Sequence, residues 1–111
     1  MITHIVFWKL LRDDEHNAEE NAARIRRGLE GLVGIVPGLL SAEVGEGLDP
    51  NGEFDLCLVS TFENRDALAA YRTHPEHVKV QKIVHAAICR RTALDFESQN
   101  DMDPKIDPYV F

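Results

Sequence analysis

Tyr71, His74 and His77 lie close together in the run Tyr71-Arg72-Thr73-His74-Pro75-Glu76-His77, and His4 stands near the start of the chain. An imidazole with an ordinary pKa of about 6.5 is suited to general-base work near neutral pH. A nearby phenol can orient a substrate or donate a proton to a developing oxyanion. His77 and Tyr71 in these roles would support an intramolecular aldol condensation or a related enolisation. The same residues also admit a purely structural arrangement. His74 would then brace the Pro75 turn, His77 would satisfy a nearby carbonyl, and Tyr71 would be a core aromatic with its hydroxyl at the edge. His4 shares a strand face with Ile2, Val6 and Trp8, where it either lines a pocket or sits as a satisfied core histidine. His74, His77 and His85 invite a metal reading, but no carboxylate or Cys spacing completes a site and Pro75 breaks the helical register between the first two. No metal and no cofactor are expected.

The elements that must position these side chains follow from periodicity. Residues 2–11 are rich in β-branched and aromatic types and read as a first strand, ending at Arg12-Asp13-Asp14. From Asp14 to Val36, Ala22, Ile25, Leu29, Leu32, Val33 and Val36 recur at helical spacing until Pro37-Gly38 stops the pattern. Gly28, Gly31 and Gly34 within it predict either close backbone contact or a frayed second half. A second strand spans 39–46, with Leu40, Ala42 and Val44 on one face, and Asp49-Pro50-Asn51-Gly52 is a turn. The return strand runs from Phe54 to Phe62, with Phe54, Leu56, Leu58 and Phe62 on one face. Asn64 caps a second helical region, which is interrupted at Thr73-His74-Pro75 and resumes through Val80, Ile83, Val84, Ala87 and Ile88. A last strand covers Arg90 to Phe96. Residues 1–97 form one domain, and residues 98–111 read as an extended polar tail whose end, Tyr109-Val110-Phe111, offers apolar anchors.

The order β-α-β-β-α-β predicts an α+β, ferredoxin-like fold with both helical regions on one face of a four-stranded antiparallel sheet. An antiparallel sheet with one wet face should alternate apolar and polar residues. In the first strand both faces are apolar, with Ile5, Phe7 and Leu11 opposing Val6, Trp8 and Leu10. A second layer is required and no residues remain to build it, so a second copy of the chain, a homodimer, is the economical expectation.

Composition narrows the functional classes. A chain of 111 residues with 44% hydrophobic and 28% charged residues suits one globular domain. No apolar run approaches the roughly 20 residues of a membrane span, so no membrane association is expected. The start, Met1-Ile2-Thr3-His4, lacks a basic segment and a cleavage signature, which makes a cytoplasmic location the expectation. A net charge of −7 disfavours nucleic acid as a partner, and Arg24, Arg26, Arg27, Arg90 and Arg91 sit among acidic residues. Cys57 and Cys89 fall in different strands without CxxC spacing and are expected to be buried free thiols.

The run Tyr71 to Val78, with His4-Ile5-Val6, the Ile35-Val36-Pro37-Gly38 stop and Asp95-Phe96, resembles the stress-responsive A/B barrel (Dabb) family over about residues 2 to 97. The resemblance implies a dimeric α+β barrel in which two four-stranded sheets face each other. It includes a plant polyketide cyclase that works without metal or cofactor. The catalytic tyrosine and histidine of that cyclase match Tyr71 and His77, and a pocket histidine matches His4. Leu29 stands where the cyclase has a pocket tyrosine, so the substrate-facing wall differs. Three functions are compatible with this picture. The leading one is a homodimer that binds a small apolar or aromatic molecule between helices and sheet, with His4 and His74 as ligand-binding residues. The second is a cofactor-independent cyclase using Tyr71 and His77. The third is a structural stress protein with a filled core.

Overall fold

A computed structural model describes residues 1–98. The chain forms β1 (Ile2–Leu10), α1 (Ala18–Glu30), β2 (Leu39–Glu46), β3 (Leu56–Phe62), α2 (Arg65–Thr73), α3 (Pro75–Ala87) and β4 (Ile88–Glu97). The strands pair antiparallel in the order β2-β3-β1-β4, the ferredoxin-like topology that the element order predicts. The tail expected at 98–111 lies outside the described residues beyond Ser98.

The helices bury one face of the sheet. In β1, Ile2, His4, Val6, Trp8 and Leu10 turn inward, and in β3, Leu56, Leu58, Ser60 and Phe62 do the same. Ile25 of α1 and Phe62 of β3 are each 0% exposed and mark the centre of the core. The opposite face is bare in the single chain: Phe7, Val59, Leu94 and Phe96 are all exposed there, as the two-sided apolar pattern requires.

Local chemistry sets the helix limits. The helix expected over 14–36 is shorter at both ends. Asn17 caps it, its side chain accepting from the Glu20 N–H, and it stops at Glu30. Residues 31–36 continue as turns that still bury Leu32 and Val36. The second half of the predicted helix is frayed, and close packing against another helix holds at Gly28 alone, where a Cβ would lie 2.9 Å from Val80 Cγ1. Its absence lets α1 and α3 approach closely. Gly38 has φ +83°, a conformation that favours glycine, and a Cβ there would meet Ala67 Cβ at 2.5 Å.

Two strand faces differ from expectation. A β-bulge between Leu39 and Ser41 turns Leu39 into the core and leaves Leu40 exposed, so the inward set is Leu39, Ala42 and Val44. Phe54 precedes β3 and packs on Phe7 of the outer face at 5.8 Å between ring centroids, with the Arg90 guanidinium 5.3 Å from its ring centre. The thiols are free, as expected, but they are not buried: Cys57 is half-buried on the bare face and Cys89 is exposed at the start of β4. One sheet face is largely uncovered in a single chain, which leaves Cys57 only half-buried.

β4 stays largely exposed along its length, including Arg91, Ala93 and Asp95, which pair in register with the inward residues Trp8, Val6 and His4. The covered part of the sheet thus gives way to an open margin. The candidate site forms there.

Candidate functional site

Tyr71 lies in the last turn of α2, and a break at His74 separates it from His77 in the first turn of α3. His74 has φ −63° and ψ 132°, an extended conformation that is also the one favoured before proline. Pro75 then opens α3, where its missing N–H costs nothing. The bend carries the His77 ring back over Tyr71, with ring centroids 3.9 Å apart and planes tilted by 31°. His4 reaches the same cluster from the middle of β1, 6.5 Å from the Tyr71 ring, and Phe62 supports Tyr71 edge-on at 4.9 Å.

Each histidine is tied through Nδ1. The His77 Nδ1 lies 3.4 Å from the Arg72 carbonyl oxygen, and the His4 Nδ1 contacts the Asp95 carboxylate. A carbonyl and a carboxylate can only accept, so Nδ1–H donates in both cases and the neutral ring keeps its lone pair on Nε2. Asp95 is held from its other side by Arg72 Nη2 at 2.8 Å. Burial lowers the His77 pKa, the Arg72 carbonyl opposes this, and His4 adds to the lowering. His77 is therefore neutral at physiological pH. Burial pushes the Tyr71 phenol up to about 12, which keeps it protonated and a hydrogen-bond donor. The cluster thus offers the His77 Nε2 as an acceptor and the Tyr71 phenol as a donor, with His4 beside them.

These groups border a cavity of about 170 Å³ between the sheet and the helices. Its apolar wall comes from Val6, Leu29 and Leu58, while Arg72, Gln81, His85 and Arg91 supply polar groups. Leu29 lines it, so the departure expected to reshape the substrate-facing wall does fall on the cavity. By comparison, an apolar cavity of about 150 Å³ is able to hold benzene. The space therefore suits a single ring with a small substituent.

The structure brings His4, Tyr71 and His77 together and places His74 elsewhere. The His74 Nδ1 accepts from the Glu76 N–H at 3.1 Å, capping α3, and the residue does not line this cavity. Among the described residues no group of three or more His, Cys, Asp or Glu side chains is arranged to hold a metal ion. His16 is bonded to Asp13 at 2.7 Å, at the solvated start before α1. Asp95, Arg72, Trp8 and Arg91 were given no site role by spacing. For the strand residues the signal is cross-strand register: His4 opposes Asp95 and Trp8 opposes Arg91 in the β1–β4 ladder, while Arg72 on α2 has no such signal.

No helix of the described residues is long and apolar enough to cross a membrane. Among known proteins, the chain is 34% identical over 76 residues to a stress-response A/B barrel domain-containing protein of Arabidopsis thaliana, covering 65% of this chain and 68% of that one. A dimeric, ferredoxin-like protein of unknown function from Bacteroides fragilis superposes with a TM-score of 0.76 at 33% identity, over 87% of this chain and 95% of that one. A hydroxynitrile lyase from Passiflora edulis shares the fold, with a TM-score of 0.75 at 18% identity over 89% of this chain and 94% of that one. The model of the stress responsive A/B barrel domain matches residues 2–98, and the chain belongs to that family.

Proposed function

We propose that the protein is a homodimer that binds a small apolar or aromatic molecule in the cavity beside His4, Tyr71 and His77. The observation that carries this reading is the cavity itself, an apolar wall facing a phenol and two imidazoles. The dimer is supported by the exposed Phe7, Val59, Leu94 and Phe96 on one sheet face and by the dimeric state of similarly folded proteins. The test is ligand-observed NMR with a panel of single-ring compounds. Binding that disappears in Tyr71→Phe and His77→Ala, with the dimer intact, is the expected outcome. A panel without any binder, or variants that bind as well as the parent, overturns the assignment.

A second reading, cofactor-independent proton transfer as in a cyclase, is favoured by the tautomers. His77 holds its lone pair on Nε2 and its pKa is lowered, so it is ready to remove a proton from carbon beside a carbonyl. Tyr71, neutral and buried, is suited to donate a hydrogen bond to the enolate oxygen as charge develops. Exchange of the methyl protons of acetophenone with deuterated solvent, followed by NMR, measures this directly. Catalysed exchange lost in His77→Ala separates an enzyme from a binder.

A further inference from the structure

We propose that the ligand of this cavity carries a carboxylate, held by the Arg91 guanidinium and the indole N–H of Trp8. The proposal rests on the cavity being a ligand site and adds the chemical class of what enters it. Trp8 lines the cavity, is 4% exposed, and its Nε1 is a buried polar atom with no hydrogen-bond partner among the described residues. A buried donor without an acceptor is costly and uncommon, and it calls for an acceptor from outside the chain. Arg91 lies directly opposite Trp8 in the β1–β4 ladder and lines the same cavity.

Charge points the same way. Arg90 is paired with Glu53 and Arg72 with Asp95, but Arg91 has no ion-pair partner among the described residues. Among the described residues no Asp or Glu lines this cavity. Indole and guanidinium are donors only, so the group that satisfies both must be an acceptor, and beside an unpaired guanidinium an anion is favoured. A carboxylate fits because its two oxygens can serve the two donors at once. Val6, Leu29 and Leu58 would then contact the apolar body of the ligand, leaving its far end toward Tyr71 and His77.

The chain has one tryptophan, so its indole N–H gives a single signal in a 15N-labelled sample of the full protein. Titrations with benzoate and with benzamide, its neutral counterpart of the same shape, read both contacts. Benzoate should move the indole signal downfield and bind about tenfold or more tightly than benzamide. Arg91→Gln, at an exposed position that should not disturb folding, should remove most of that preference, chiefly by weakening benzoate. Trp8→Phe should weaken benzoate several-fold, and unchanged benzoate affinity in that variant would count against the indole contact.

Equal affinities for the two probes overturn the carboxylate assignment while leaving the cavity a ligand site. Benzoate binding with an unmoved indole signal, or a preference that survives Arg91→Gln, overturns it as well. If neither probe perturbs Tyr71 or His77 at millimolar concentration, the ligand-site reading fails and this proposal fails with it.

Discussion

His4 and Asp95 face each other across the β1–β4 ladder, and the Asp95 carboxylate holds the His4 Nδ1 while its second oxygen receives Arg72 from α2. One carboxylate therefore fixes a buried ring and pins the end of a helix to the sheet margin. His4 should be the Nδ1–H tautomer when neutral, which long-range 15N–1H NMR reads directly. In Asp95→Asn the preference should weaken, with ligand binding falling by about tenfold. An Nε2–H tautomer in the parent protein would contradict the arrangement.

The lowered pKa of His77 sets a pH dependence. Its folded value lies below the unfolded value of about 6.5, so the folded state binds fewer protons than the unfolded chain between the two. The stability linked to this ring is complete above about pH 6.5 and declines as pH falls from there toward the lowered value. Urea midpoints from pH 8 to 5 should drop over that window, and His77→Gln should flatten the slope. Any activity that needs neutral His77 should stay level above neutrality and fall on the acid side.

Asp55 anchors the open end of β1. Its carboxylate accepts from the Leu10 N–H at 2.7 Å and from Arg12 at 2.9 Å, with Lys9 at 3.4 Å. Burial alone would raise its pKa, but these donors prevail and hold it at about 2. Its stabilisation is complete above the unfolded carboxylate value of about 4 and is lost as pH falls through about 2. Asp55→Asn should cost about 1–3 kcal/mol at neutral pH and remove much of the acid sensitivity in thermal melts.

Gly38 joins α1 to β2 at φ +83°, against Ala67 of α2. Gly38→Ala adds both backbone strain and a clash, so a loss of about 1–3 kcal/mol is expected in urea denaturation. Gly34, at φ +89° but with open space around it, should cost less on the same substitution, since only the strain applies. Equal costs would show that the contact with Ala67 relaxes freely.

The bare sheet face provides the test of the dimer. Leu94 is 63% exposed in the single chain, so a charge there has no reason to disturb the fold of the subunit. Leu94→Glu should therefore yield a folded monomer in sedimentation at micromolar concentration if that face joins two copies. A parent protein that is itself monomeric under those conditions would rule the dimer out.

The sequence by itself determined the element order, the Asn64 cap, the extent of β2 and the two apolar faces of β1, because period and turn chemistry are local properties. It also singled out Tyr71 and His77, and the Pro75 break between them. It did not limit the first helix, since Leu32 and Val36 keep helical spacing while packing from turns. Nor did it show that Leu39 rather than Leu40 points inward, because one bulge reverses the side-chain alternation. His74 was legible as a cap or as a ligand group, and only the fold shows its Nδ1 bound to the Glu76 N–H.

What tertiary structure alone decided is which distant residues meet at the site. Asp95 meets His4, and Arg91 meets Trp8, through a strand pairing that joins residues more than 80 positions apart. Such a register depends on how β4 aligns against β1 after the whole of the intervening chain has folded. No local pattern carries that information, so the histidines and the tyrosine were visible in the sequence while the carboxylate and the donors around them were not.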